Sequence, residues 1–346
     1  MVMRSLRALL ATGVLAALVA LALSACGVGG GQENKSSDSS TPRATNLDGK
    51  ILFTRQGGKY GNETGYTAEA NGTHEHRISG FGKTCCPGLS PDGTKVARGA
   101  TPPERAEVLE DGERFTTTIV RADGTHPQTM PIRDPTLNLG CNVWSPDGKQ
   151  IACEAWDDSN SNRNGVYIAD VPDGKNLRRV TRNPLGSTDL PQDFSPDGSR
   201  IVFLRAEPVE DAYYGSLYVV NVDGTGLHRI TPPGSHIQSA RWSPKGKWIV
   251  FGSTGSEPYQ VIEMVRPDGT GQKTVFEDPD GGSAITPVWS PDSHKIMFAL
   301  IGEKEYYEAE DQRSNTLSVI NEDGKGLAVV LDTPDFKRLS DWAAKE

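Results

Sequence analysis

The sequence predicts an all-β protein: a six-bladed β-propeller with four antiparallel strands per blade, closed by pairing of the N- and C-terminal segments in one blade. Three observations predict it. One turn motif occurs five times, its serines 55, 50, 48 and 47 residues apart, a second occurs six times between those copies, and the two chain ends together complete the sixth copy of the first.

In chain order, the first element is a targeting segment. Arg4 and Arg7 precede an uninterrupted apolar and small-residue run from Ala8 to Leu23, followed by Leu23-Ser24-Ala25-Cys26. The run is shorter than the roughly 18–20 residues a spanning helix needs. The motif resembles the bacterial lipobox. That resemblance implies cleavage before Cys26, diacylglyceryl and palmitate-type lipidation of its thiol, and a cell-membrane anchor on the extracytoplasmic side. Residues 1–25 are thus expected to be a lipoprotein signal peptide. Residues 26–45, rich in Gly, Ser and polar side chains, form a flexible tether. The propeller is expected over 46–346.

The first turn motif is Leu89-Ser-Pro-Asp-Gly93, Trp144-Ser-Pro-Asp-Gly148, Phe194-Ser-Pro-Asp-Gly198, Trp242-Ser-Pro-Lys-Gly246 and Trp289-Ser-Pro-Asp-Ser293. Proline presets φ, Asp bonds nearby backbone and Gly accepts positive φ, so each copy reads as a hairpin turn. Apolar strands follow, as in Ile151-Ala-Cys, Ile201-Val-Phe, Ile249-Val-Phe and Ile296-Met-Phe. The second motif ends apolar strands with Asn71-Gly72, Asp123-Gly124, Asp173-Gly174, Asp223-Gly224, Asp268-Gly269 and Asp323-Gly324. The sixth copy of the first motif is split between Leu339-Ser-Asp-Trp342 and Leu47-Asp-Gly-Lys-Ile-Leu-Phe53. Joining the ends in one blade protects both edges.

The Trp-Ser-Pro-Asp-Gly-Lys-x-Ile-Ala/Val-Phe pattern is similar to the WD40-like repeat of TolB-type propellers and covers residues 46–346. Lys245, Ser293 and Arg98 depart from it. The resemblance implies protein–protein contacts. The same repeat occurs in propellers of prolyl-oligopeptidase-type peptidases, so it identifies a fold better than a function.

No catalytic set is expected. There is no Gly-x-Ser-x-Gly elbow, and only four residues follow Trp342, so no hydrolase domain is expected. Gly82-Lys83-Thr84 lacks the glycine a phosphate loop needs at position 77, where Arg stands. The six histidines lack metal spacing, and His74-x-His76 reads as a solvated pair. Asp158-x-Asn160-x-Asn162-x-Asn164 alternates oxygen side chains like a calcium loop, but Arg163 stands where that loop needs Gly. Neither metal nor cofactor is expected. Asp189, Asp193, His236 and Arg338 lie on or beside inner strands, where a propeller enzyme, a lyase or a glycan-active one, would place a site in its channel.

Cys153 occupies the slot of Phe53, Phe203, Phe251 and Phe298 and is expected to be a buried free thiol. Cys86 and Cys141, each four residues before a motif Ser, start the inner strands of adjacent blades and are expected to form a disulfide, with Cys85 competing for the same partner.

Naming the strands of a blade A to D from the axis outward, both turn motifs fall on one end of the propeller and the B–C and D–A connections on the other. Four B–C connections, 99–114, 156–164, 206–215 and 301–314, hold fifteen acidic residues against five basic ones, close to the whole formal charge of −9. Two of them join acid to tyrosine: Glu210, Asp211, Tyr213 and Tyr214, and Glu305, Tyr306, Tyr307 and Glu308. These eight residues are the expected docking site for a protein or peptide. The acidic balance argues against nucleic acid, and a monomer is expected. The chain is thus expected to be a binding or scaffolding module of the cell envelope, a ligand sensor for a membrane system being a further reading.

Overall fold

The computed structural model describes residues 41–57, 62–78, 87–100, 115–131, 134, 136–209, 212–254, 259–306 and 314–344. Blade 1 contains β1 (Lys50–Gly57), β2 (Asn62–Glu69), β3 (His76–Arg77) and, innermost, the last strand β24 (Phe336–Ala343). Blade 2 runs outward through β4 (Gly88–Leu89), β5 (Lys95–Ala100), β6 (Thr116–Arg121) and β7 (Gln128–Thr129). Blade 3 has β8 (Asn138–Trp144), β9 (Gln150–Trp156), β10 (Gly165–Asp170) and β11 (Arg178–Arg179). Blade 4 has β12 (Thr188–Phe194), β13 (Arg200–Val209), β14 (Ala212–Asn221) and β15 (His228–Arg229). Blade 5 has β16 (Ile237–Trp242), β17 (Ile249–Thr254), β18 (Gln260–Val265) and β19 (Lys273–Phe276). Blade 6 has β20 (Ser283–Trp289), β21 (Lys295–Ile301), β22 (Asn315–Asn321) and β23 (Ala328–Thr333). Each innermost strand contacts the next, and β20 meets β24, so the ring closes.

The first turn motif works through its serine. In Ser195, the hydroxyl donates to Asp197 at 2.5 Å and accepts the Arg200 N–H at 2.9 Å, while Gly198 N–H bonds the Ser195 carbonyl at 2.8 Å. Ser90, Ser145 and Ser290 repeat this pattern, and all four are buried. The side chain therefore replaces water for a backbone donor that the turn would otherwise leave unpaired. On the second strand of blades 1, 4, 5 and 6, Phe53, Phe203, Phe251 and Phe298 are fully buried.

Closure is as expected: β24 pairs antiparallel with β1, Trp342 opposite Ile51, and the Trp342 indole donates to the Asp48 carbonyl at 2.8 Å. Two expectations are corrected. Residues 42–44, assigned to the tether by composition, form a parallel bridge to β23, with Val329 N–H bonding Pro42 O and Ala44 N–H bonding Val329 O. They cover the outer edge of blade 6, where unpaired ladder groups would otherwise face solvent.

The second correction is the disulfide: it joins Cys141 to Cys153, not Cys86 to Cys141, so Cys153 is buried but not a free thiol. The two cysteines are register partners in β8 and β9, with Cα atoms 3.9 Å apart. The turn register, Trp144 opposite Ile151 and Val143 opposite Ala152, would bring Asn142 opposite Cys153, and a bulge at Asn142 shifts it by one so that Cys141 stands there instead. Cross-strand neighbours are the nearest partners a sheet offers. Cys85 and Cys86 lie outside the described residues.

Candidate functional site

The end opposite the turn motifs is irregular. In blade 3, Asp157 organises the B–C connection: its carboxylate accepts from Ser159 N–H and O–H, from Asn160 N–H and from Arg163. Burial pushes this carboxyl up, but the hydrogen bonds from Ser159 and Asn160 outweigh it and hold the group at about 2. Arg163, the residue that disqualifies the calcium reading, supplies the cation there and also pairs with Asp134. In blade 4 the expected loop 206–215 is the end of a hairpin of ten-residue strands, paired as far as Val209 opposite Ala212.

Of the expected docking residues, Tyr213 and Tyr214 lie on β14, opposite Pro208 and Glu207. Glu305 and Tyr306 belong to a single helical turn, α1 (Glu303–Tyr306), after β21. Glu210, Asp211, Tyr307 and Glu308 lie outside the described residues. The two acid–tyrosine segments belong to blades 4 and 6, with blade 5 between them.

Along the inner strands, Asp189 is fully buried in a two-pronged pair with Arg205, at 2.7 and 2.8 Å, and the guanidinium lies over the rings of Tyr218 and Phe203. A charge so satisfied is structural. Arg338 lies 3.5 Å from Glu63, whose carboxyl is pushed up by burial against the pull of that guanidinium. His236 is half-buried at the start of blade 5, and its carbonyl accepts the Thr254 N–H.

Asp193 belongs to a different group. Arg241, on β16, reaches Asp341 Oδ1 at 3.4 Å and the Ser340 carbonyl at 2.7 Å on β24, and the Gln192 carbonyl at 3.1 Å on β12. Asp341 Oδ2 accepts Leu89 N–H at 2.8 Å, and Asp193 Oδ2 accepts Trp242 N–H at 2.7 Å. One guanidinium and two carboxylates thereby tie the inner strands of blades 1, 2, 4 and 5. Burial raises the Asp193 carboxyl to about 7, opposed by Arg241 and the Trp242 N–H, and burial raises Asp341 against the same arginine. Asp193 is thus a carboxyl able to exchange a proton near neutrality. Arg241 and Asp341 escaped the sequence reading. The signal was in the repeat, where Asp193, Arg241 and Asp341 occupy the slot before the motif aromatic that Val143 and Val288 fill elsewhere. Among the described residues, no group of three or more His, Cys, Asp or Glu side chains is arranged to hold a metal ion, and no helix is long and apolar enough to cross a membrane.

Comparison with known proteins agrees with this architecture. An uncharacterized protein of Agrobacterium fabrum is 28% identical over 220 residues, spanning 61% of this chain and 68% of that protein. Dipeptidyl-peptidase 5 of Porphyromonas endodontalis is 24% identical over 143 residues, 38% of this chain and 20% of the peptidase. Among solved structures, TolB from Acinetobacter baumannii is similar with a TM-score of 0.61 at 17% identity, covering 86% of this chain and 67% of that one. At such identity the structural likeness is one of fold. Residues 104–326, well over half of the 346, match the family described as the TolB beta propeller domain, and the chain belongs to that family.

Proposed function

We propose that the chain is a binding module of the bacterial cell envelope, anchored extracytoplasmically through lipid on Cys26, that docks a protein or peptide on the end bearing the B–C connections. The observation that carries this reading is the difference between the two ends. One is built of near-identical, internally hydrogen-bonded turns, while the other gathers the long, acidic connections of blades 2, 3, 4 and 6. Variable connections on a rigid scaffold are where binding concentrates. Charge gathered there steers a cationic partner and raises its association rate. The Cys141–Cys153 disulfide supports an oxidising compartment, as the lipobox-like motif does.

The test is capture from envelope extracts by the detergent-solubilised full chain. A variant with Glu210→Gln, Asp211→Asn, Glu305→Gln and Glu308→Gln is expected to keep its thermal unfolding temperature and lose the partner. In the same cells, Cys26→Ala is expected to accumulate as full-length precursor. Undiminished capture by the four-fold variant overturns the docking surface, and normal processing of Cys26→Ala overturns the anchor.

A second reading, an enzyme working in the channel, has one observation in its favour: the near-neutral carboxyl of Asp193. Against it stands the engagement of Arg241 and Asp341 with backbone groups of the fold itself.

A further inference from the structure

The two departures from the turn motif at Lys245 and Ser293 meet in space. Lys245 takes the Asp position in blade 5 and Ser293 the Gly position in blade 6. The Lys245 N–H donates to Ser293 Oγ at 3.0 Å, and Lys245 Nζ lies 3.0 Å from His294 Nε2. Ser293 holds a positive φ of 64°, a conformation the motif otherwise assigns to glycine. A side chain that costs backbone energy in its own turn is therefore used to join the turns of two blades.

Beside this junction, on the turn-motif end, a recess of about 400 Å³ opens between blades 5 and 6. Trp289 lines it. In the other tryptophan copies of the motif the indole N–H has a partner: Trp144 donates to Gly88 O, Trp242 to Gly246 O and Trp342 to Asp48 O. The Trp289 indole nitrogen is buried without one, in a residue only 4% exposed. An unmet buried donor costs stability, and a ligand oxygen that meets it recovers that cost. The recess also carries Lys245, Lys247 and Lys273 against Glu322 and Asp323, a local cationic excess on a chain of formal charge −9. Lys245 Nζ lies 3.0 Å from His294 Nε2, and His294 Nδ1 lies 4.0 Å from Glu322 Oε1. Lys273 lies over the Trp248 ring at 5.2 Å, leaving its ammonium at the rim.

We propose that this recess binds a small carboxylate-bearing ligand, one oxygen accepting the Trp289 indole N–H and the charge held by Lys245 and Lys273. The site is at the opposite end from the docking surface proposed above, so either can fail without the other. A sugar acid and a peptide-type acid share the recognised group, and probes separate them.

The experiment titrates ¹⁵N-labelled full chain in detergent with galacturonate and, separately, N-acetylalanine. Galactose and N-acetylalaninamide serve as the uncharged counterparts. The Trp289 indole resonance is assigned by its loss in Trp289→Phe, which keeps an aromatic ring in the site. Its saturable shift by at least one acid and by neither neutral counterpart is expected, the tighter acid identifying the source. Lys245→Ala and Lys273→Ala, both at exposed positions, are expected to weaken binding about tenfold each, the scale of a lost charge-assisted hydrogen bond. An indole resonance unmoved by both acids, or moved equally by the neutral probes, overturns the proposal, as does undiminished affinity in both lysine variants.

Discussion

Single residues decide how this propeller responds to pH and what closes it. The Asp193 carboxyl sits at about 7 in the folded chain, above its ordinary value, because burial disfavours its charge. The folded state therefore holds the proton more tightly than the unfolded one. The resulting stabilisation is full below about pH 4 and is lost as pH rises through 7. Asp341 and Glu63 are shifted in the same direction. Asp193→Asn is expected to flatten, without abolishing, the fall of unfolding temperature between pH 5 and pH 8, and an unchanged slope counts against the assignment. At β24, Lys337 is completely buried, its ammonium 2.7 Å from each of the carbonyls of Asn315, Thr333 and Asp335. Lys337→Met keeps the apolar stem but removes the buried ammonium that three carbonyls share, leaving Thr333 O and Asp335 O with only their backbone donors, Asp335 N–H and Asn315 N–H. It should cost about 3 kcal/mol in chemical denaturation, and wild-type stability would contradict that. Neither role was legible beforehand: the repeat marks the slot of Asp193 but not its partners in the next blade, and a lysine in a strand does not show which carbonyls the folded chain turns toward it.

Among elements, the turn and the hairpin it joins are the units. The Asp197 carboxyl is drawn down to about 2, first by the Ser195 hydroxyl and then by the Ser199 N–H. Its contribution is present above about pH 4 and lost as pH falls toward 2, opposite in sign to that of Asp193. The bond from Asp to nearby backbone was readable from Ser-Pro-Asp-Gly because its partner lies two residues away, whereas the serine's part was not. The disulfide was not, because a bulge at Asn142, past the turn, sets the register of Cys141. Cys153 was correctly placed in the aromatic slot, yet that slot faces the position of Cys141 across the hairpin. Register within a blade, not adjacency between blades, decides the pairing. Peptide mapping without reduction is expected to recover Cys141 linked to Cys153. Reduction should lower stability by about 3 kcal/mol, the scale for a loop this short. Recovery of a Cys86–Cys141 peptide would reverse the correction.

The molecule as a whole depends on closure. β24 is the innermost strand of blade 1 yet comes from the far end of the chain, and Trp342 reaches Asp48 across 294 residues. Removing 339–346 takes away the strand partner of Ile51 and Leu52 together with the Leu339 and Trp342 side chains buried against Phe53. The truncated chain is expected to lose its cooperative unfolding transition by calorimetry, and a retained transition near the wild-type temperature would show that the ring holds without its join.

The sequence by itself determined the six blades, the turn-bearing end, the split blade and the buried phenylalanine layer. Each follows from turn chemistry spanning about five residues and from a period that survives substitution. Tertiary structure alone decided which cysteine pairs, how Arg241 reaches Asp341 a hundred residues away, and that Lys245 and Ser293 meet beside an unpartnered indole. These depend on cross-strand register and on how far a side chain reaches between blades. The repeat brings such residues together only after the ring has closed, and no local pattern records the contact.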